Sequence, residues 1–327
     1  MNTSMPVHER AAVLTAPGRV RIEGRRTPDV GRTQVRVRME GCGVCGSNLP
    51  VWEGRPWFTY PLEAGAPGHE GWGRVEAVGD AVADVRPGQR VAVLSYHAFA
   101  DADVADASQV VVLPEALATQ PFPGEALGCA WNVFRRAEVQ AGHAVAIVGV
   151  GFLGALLVQL CAREGARVIA LGRRPFALEM ARRFGASETI ALDDDAGRAI
   201  HAVREIRGGR GCERVIEATG LQGPLDVASE ITAERGRLII AGYHQDGLRQ
   251  VNMQSWNWRG IDVINAHERD PRLYIEGIRA AVDAVAAGRI DPSPLYTHQF
   301  QLEQTGEALE CLRQRPGDFF KAVVTMN

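Results

Sequence analysis

Hydrophobic and polar positions alternate in short runs over the first third of the chain. Arg19-Val20-Arg21-Ile22, Val35-Arg36-Val37-Arg38 and Gly73-Arg74-Val75-Glu76-Ala77-Val78 each set apolar side chains two residues apart, the period of a half-buried β-strand. Pro87-Gly88-Gln89-Arg90 is turn chemistry feeding a further strand over 91–94. From residue 11 to about 113 the chain therefore reads as all-β, in the manner of a small barrel. After Pro121 and Pro123 the pattern changes. Apolar, strand-like runs at 144–148, 167–171, 189–191, 214–217 and 237–241 are separated by segments of helical spacing such as 153–163 and 175–184. That alternation predicts a parallel, doubly wound sheet. From about residue 270 a helix over 273–287, a Pro-rich turn and further strand and helix pieces return to the first domain. The expected fold class is α/β, with a β-rich domain over 1–128 and 270–327 and a doubly wound parallel-sheet domain over 129–269. The sequence carries no internal repeat and no low-complexity tract.

Composition agrees with two cores. The 327 residues exceed one ordinary domain of about 150, and apolar residues at 46% against 23% charged supply ample material for burial. A net charge of −3, without any Lys/Arg cluster interleaved with aromatics, argues against nucleic acid as a partner. No apolar run approaches the ~20 residues of a membrane span. Met1 to Arg10 is polar and acidic where a secretory signal has an apolar core, so a cytoplasmic protein is expected. The six cysteines are scattered, which favours reduced thiols over a disulfide framework.

Gly149-Val150-Gly151-Phe152-Leu153-Gly154 is a GxGxxG directly after an apolar strand and at the head of an apolar helix, the context that makes this motif specific for a dinucleotide and residues 129–269 a Rossmann dinucleotide-binding domain. Gly149 makes the tight turn, Gly151 admits the pyrophosphate and Gly154 lets helix pack on strand, with Phe152 and Leu153 opening the helix whose N-terminus faces the phosphates. An NAD site places an acidic residue at the end of the second strand. Gly172 stands there instead, followed by Arg173 and Arg174. The missing carboxylate leaves room for a 2′-phosphate and guanidinium groups suit it, so NADP(H) is the expected cofactor. The competing reading of the two arginines is a solvated helix start.

Gly43-Val44-Cys45-Gly46-Ser47 and Gly68-His69-Glu70-Gly71 resemble the two zinc-ligand motifs of the medium-chain dehydrogenase/reductase superfamily, the zinc alcohol and polyol dehydrogenases. The resemblance spans nearly the whole chain, including the Pro87-Gly88 turn, the GxGxxG and the order of catalytic domain, cofactor domain and catalytic tail. It implies a GroES-like catalytic domain and reversible hydride transfer between an alcohol carbon and the nicotinamide. It also implies one catalytic Zn2+ per subunit, held by Cys45 and His69 with a carboxylate from Glu70 or Glu125. Glu125, 24 positions before the first glycine, stands where polyol-dehydrogenase-like members have a zinc-binding Glu. Cys129 is an alternative ligand, and Cys42, although it forms a CxxC with Cys45, reads as packing. The resemblance further implies that Ser47 takes the alcohol proton, that Lys321 contacts the pyrophosphate, and that the protein is a homodimer or homotetramer paired through cofactor-domain sheet edges.

The chain departs from the family at Asn48, which replaces an Asp, at Pro50, which replaces a relay His, and in lacking a Cys quartet for a structural zinc after Val91-Ala92-Val93. Asn48 is able to accept a hydrogen bond from a ligating His but brings no charge to raise its basicity, so weakened metal binding is expected. Pro50 carries no proton, so the relay must run through water, a substrate hydroxyl or another residue, of which His267 is one candidate. Trp52, Trp57, Phe58 and Tyr60 lie between the zinc motifs, and Trp131 near Glu125. They are expected as an apolar wall or stacking platform for a small-molecule substrate, with core and rim packing as the alternative. The activity expected is zinc-dependent, NADP(H)-linked conversion of a secondary alcohol and its ketone, of polyol, cyclitol or sugar-derived type. The alternatives are a zinc-free NADPH-dependent reductase of the same superfamily and a catalytically silent NADP-binding protein.

Overall fold

The structure, a computed structural model, describes residues 9–26 and 28–326. Most of the segment read for a leader, Met1 to His8, lies outside the described residues. The chain divides into two compact units, one of residues 1–128, 274–286 and 293–327, the other of 129–273 and 287–292.

The first unit opens on an antiparallel pair, β1 (Glu9–Ala16) and β2 (Arg19–Arg25). There follow β3 (Gln34–Gly43), the short helix α1 (Leu49–Trp52), β4 (Glu70–Val78), β5 (Arg90–Val93), β6 (Ala102–Asp106) and β7 (Val110–Val112). Helix α2 (Gly124–Ala137) leads into the second unit: β8 (Ala144–Val148), α3 (Phe152–Arg163), β9 (Arg167–Gly172), α4 (Pro175–Arg183), β10 (Glu188–Ala191), α5 (Ala196–Ile206) and β11 (Cys212–Glu217). It continues with α6 (Gln222–Ile231), β12 (Thr232–Ile240), α7 (Met253–Arg259) and β13 (Asp262–Asn265). Helix α8 (Pro271–Ala286) precedes β14 (His298–Gln301), α9 (Thr305–Gln314) and β15 (Ala322–Thr325), which belong to the first unit again.

The larger sheet of the first unit runs β14-β15-β3-β4-β5-β7, with β6 paired to β3. Alternation on β3 decides its faces: Val35, Val37 and Met39 are buried, whereas Arg36 and Arg38 project outward and share Glu76 of β4, at 2.9 and 2.6 Å. The buried side joins one core with Val51, Trp52, Phe99, Leu309 and Val324. Strand β15, although late in the chain, sits between β14 and β3, parallel to the first and antiparallel to the second.

In the second unit six strands are all parallel, in the order β10-β9-β8-β11-β12-β13. Every residue of β8 is buried, as expected of a strand covered on both faces. The order reverses between β8 and β11, the switch point outside which α/β sheets bind ligands. The doubly wound parallel sheet is thus as the sequence pattern predicts. Strand β12 differs from expectation: it begins at Thr232 rather than 237, with Arg235 kinked at φ 55. The polar run Ala233-Glu234-Arg235 conceals that start, because the extra length is an irregular ladder beside Cys212 rather than a buried run. Among the described residues no helix is long and apolar enough to cross a membrane.

Candidate active site

Two neighbouring strands of the first unit bring the two candidate metal-binding motifs together. Strand β3 ends at Gly43, whose ladder partner on β4 is Glu70, so Cys45 just past one strand meets His69 just before the other. The loop after Cys45 is a single 3-10 turn, pinned where Asn48 Oδ1 accepts from the Cys45 backbone N–H at 2.8 Å. The candidate ligand atoms of Cys45, His69 and Glu70 lie within 4.8 Å of one another, and among the described residues this is the grouping suited to a metal ion.

His69 is oriented by its own chain. Its Nδ1 lies 2.9 Å from the Pro67 carbonyl, which only accepts, so Nδ1 carries a proton and Nε2 faces Ser47 Oγ at 3.3 Å. Asn48, considered above as the acceptor for a ligating His, does not serve it: its Nδ2 donates to the same Pro67 carbonyl at 3.2 Å. The Pro67 carbonyl thus accepts from both side chains, while Asn48 Oδ1 accepts from Cys45 N. Burial opposes a charged imidazole here, but the hydrogen bond and charge of Cys45, then the charges of Glu125 and Glu70, outweigh it and raise the His69 pKa to about 10. The thiol, imidazole and carboxylate form a donor set of the kind zinc takes, and the site fits that ion.

Glu70 is fully buried, and Lys321 Nζ lies 2.6 Å from its Oε1 and 2.5 Å from Oε2. Lys321, expected at the cofactor pyrophosphate, is instead 4% exposed and occupied with this carboxylate. Burial works against its charge, but Glu70 foremost, with Cys45 and Glu125, keeps its pKa above the ordinary lysine value. Glu125, on the first turn of α2, is buried and makes its charge felt at both His69 and Lys321, although it lies outside the close grouping of ligand atoms. Cys42 is buried in the core, where desolvation pushes its thiol well above the usual range.

The glycine motif of the second unit closes the turn from β8 to α3. Gly149 has φ 105, a left-handed backbone that side chains resist, and a Cβ on Gly154 would stand 2.0 Å from Gly149 O. A Cβ on Gly151 would meet nothing within 4 Å, so the open side of the turn is there, with Phe152 and Leu153 beginning the helix. This is a cradle of the kind a pyrophosphate occupies. Gly172 ends β9, where a Cβ would come 3.2 Å from Leu178 Cδ2. Arg173 is exposed, and Arg174 stands at the position immediately before the first residue of α4.

The remaining candidates are scattered. Trp52 is a core residue rather than a cleft wall: it is 7% exposed and its Nε1 donates to Glu310 of α9 at 3.1 Å. Trp57 is 60% exposed beside Phe58. Trp131 packs near Phe134 with the Arg289 guanidinium 5.3 Å above its ring. His267 is exposed and stacks on Tyr243 at 5.3 Å, its pKa lowered by burial and then by Arg269. Sequence reasoning missed that stack, and it missed the Lys321–Glu70 pair. It also missed a network in which Glu217 accepts from Thr219 N, Gly220 N and His244 Nε2, with Arg249 behind the histidine. None of these groupings leaves a spacing signal, because their members meet only through the fold.

Comparison with known proteins assigns both halves. Residues 31–130 match the profile of the alcohol dehydrogenase GroES-like domain, and residues 153–286 that of the zinc-binding dehydrogenase domain. The sorbitol dehydrogenase of Bacillus subtilis (strain 168) is 25% identical over 359 aligned positions, covering 100% of each chain. That of Gallus gallus is 27% identical over 344 positions, covering 94% of each. A Sinorhizobium meliloti 1021 protein whose structure holds NADP has the same fold, with a TM-score of 0.83 at 24% identity over 97% of this chain and 99% of its own.

Proposed function

The chain belongs to the zinc-type medium-chain dehydrogenase/reductase superfamily as an oxidoreductase of the alcohol and polyol dehydrogenase kind, and from that premise we propose a zinc-dependent, NADP(H)-linked enzyme acting on a secondary alcohol and its ketone. The observation that carries the proposal is the convergence of Cys45, His69 and Glu70 beside the Ser47 hydroxyl. Cys45, His69 and a carboxylate of Glu70 or Glu125 would hold the zinc. Bound there, zinc supplies a Lewis acid that polarises a carbonyl or lowers an alcohol's pKa.

The chain's own groups account for the rest. The Pro67 carbonyl fixes the His69 ring so that Nε2 is the nitrogen offered as a ligand. Ser47 Oγ is the hydroxyl that takes the substrate proton. Pro50 cannot pass it on, so the next acceptor is water or a neighbouring hydroxyl of the substrate, which a polyol, cyclitol or sugar-derived ketone carries. Gly149, Gly151 and Gly154 receive the pyrophosphate. Arg173 and Arg174, at the head of α4 and without an acidic residue at 172, favour the 2′-phosphate of NADP(H), in keeping with the NADP bound to the Sinorhizobium meliloti relative. His267 and Tyr243, at the carboxyl ends of β13 and β12, are placed on the ligand side of the sheet. The exposed edge strand β13, with Trp258 at 89% and Leu248 at 99% exposure nearby in sequence, is where we place pairing with a second copy.

The test is metal analysis beside a panel of secondary alcohols and ketones with NADPH and NADH. About one zinc per chain and ketone-dependent NADPH oxidation are expected. Turnover without metal would favour the zinc-free reductase, and NADPH binding without any turnover the silent protein.

A further inference from the structure

The last residue of β11, Glu217, is wholly buried at the carboxyl end of the second unit's sheet. Its Oε1 accepts from the backbone N–H groups of Thr219 at 2.6 Å and Gly220 at 3.0 Å, and also from the Thr219 hydroxyl. Its Oε2 accepts from His244 Nε2 at 3.1 Å. Arg249, which only donates, gives its Nε–H to His244 Nδ1 at 2.7 Å, so the imidazole carries its proton on Nε2. Donation thus runs one way, from guanidinium to imidazole to carboxylate. The same guanidinium returns through Nη2 to Gly220 O at 2.7 Å. Two glycines make room for this closure. A Cβ on Gly242 would stand 2.7 Å from Glu217 Oε2, and one on Gly220, whose φ is 76, would stand 2.4 Å from Tyr243 O. The loop after β12 is thereby tied to the turn after β11 over residues 218–220.

That turn borders the glycine cradle. Ala218 N donates to Val148 O at 2.9 Å, and a Cβ on Gly149 would come 2.4 Å from Thr219 Cγ2, so the threonine stands directly against the first glycine of the motif. Strands β9 and β11 flank β8 on opposite sides. With the pyrophosphate at 149–154 and the adenine ribose at Gly172 on β9, the other half of a dinucleotide extends over β11. A bare carboxylate there would repel an anionic cofactor, whereas the oxygens of Glu217 are taken up by donors. Resting on the dinucleotide reading above, we propose that His244 and Arg249 are positioning residues. Through Glu217 they fix the 218–220 turn against Gly149 and so set the nicotinamide half of the cofactor site.

The test measures, on the full-length protein, the Kd of whichever reduced dinucleotide the wild type holds more tightly, NADPH or NADH. Beside it is measured the Kd of the matching adenine half, 2′,5′-ADP or 5′-AMP. His244→Phe keeps a ring but neither hydrogen bond, whereas His244→Gln keeps both, since its amide offers a donor to Glu217 and an acceptor to Arg249. His244→Phe is expected to weaken the dinucleotide by about tenfold or more and the adenine half by less than about twofold. His244→Gln is expected to stay within about threefold of wild type for both. Arg249→Met, which leaves the ring in place, is expected to weaken the dinucleotide alone by about threefold or more. Should His244→Phe not fold, Arg249→Met decides. Equal weakening of both ligands would mean a general loosening of the unit and overturns the inference. So does a Phe or Met variant that binds the dinucleotide as tightly as wild type, or a Gln variant no better than the Phe variant. Each of these leaves the cofactor reading standing. A wild type that binds neither dinucleotide overturns that reading and this inference with it.

Discussion

Ser47 Oγ lies 3.3 Å from Nε2 of His69, the proposed metal ligand, and is not itself one of the proposed ligands. Ser47→Ala is therefore expected to lower kcat by about 10²–10⁴ while zinc content stays at the wild-type value, measured by steady-state kinetics beside metal analysis. A loss of zinc in this variant would give the hydroxyl a structural role instead. For the cofactor, Arg173→Ala with Arg174→Ala is expected to reduce the NADPH/NADH ratio of kcat/KM by about 10- to 100-fold, the worth of one or two charged hydrogen bonds. Gly172→Asp is a blunter probe, since even its Cβ would press on Leu178 at 3.2 Å. The residues of the Cys45, His69 and Glu70 grouping were visible in the sequence because each sits in a short motif that resembles a zinc-ligand motif of the family. Their partners were not. Lys321 lies 251 positions from Glu70, and the acceptor for His69 is a backbone carbonyl, which has no residue identity to read. Trp52 was left open between a cleft wall and core packing, and the indole, with α9 beside it, is buried.

At the scale of elements, Gly43 of β3 pairs with Glu70 on β4 and Val323 on β15, and a Cβ there would stand 1.9 Å from Glu70 Oε2 and 3.0 Å from Lys321 Cε. Gly43→Ala is expected to force Glu70 and Lys321 apart and to destabilise the protein by about 1–3 kcal/mol, measured by urea unfolding. An unchanged midpoint would show that the carboxylate is free to move. Another tie joins β1 to the segment before β6: Asp101 accepts from Arg10 N at 2.8 Å, Nε at 3.0 Å and Nη2 at 2.8 Å. Burial alone would raise the Asp101 pKa, but Arg10 outweighs it and holds the carboxyl below the ordinary 3.8. A depressed folded pKa contributes stability above the unfolded value and loses it as pH falls through the folded one. Asp101→Asn is thus expected to cost about 1 kcal/mol at pH 7 and to cost progressively less below pH 3.8, read from thermal midpoints across that range. Elements were the most legible level of all. Period-two alternation exposes β3 and β4, and unbroken apolar runs expose β8 and β9, because burial on one face or on two leaves different patterns. What alternation does not encode is pairing, so nothing in the sequence placed β15 between β14 and β3.

For the whole molecule, the proposed metal ligands belong to one compact unit and the glycine cradle to the other. Zinc and NADPH should then stabilise different parts of the chain. Calorimetry is expected to show a chelator lowering one thermal step, and NADPH at about 100 times its Kd adding roughly 2.7 kcal/mol to the other. A single step moved equally by both ligands would mean that the units unfold as one. The position of β15 has a consequence in time as well as in space. Strands β3 and β4, with Cys45, His69 and Glu70 at their ends, leave the ribosome early, yet Lys321 and the strand that follows it emerge only after the entire second unit. At the usual pace of translation, roughly 5–20 residues per second, the 251 positions between Glu70 and Lys321 amount to about 10–50 seconds. During that interval Glu70 is without the ammonium that pairs with it in the folded chain. The contact that ties the start of β4 to the approach of β15 is therefore a late one, made only once the last strand has been synthesised.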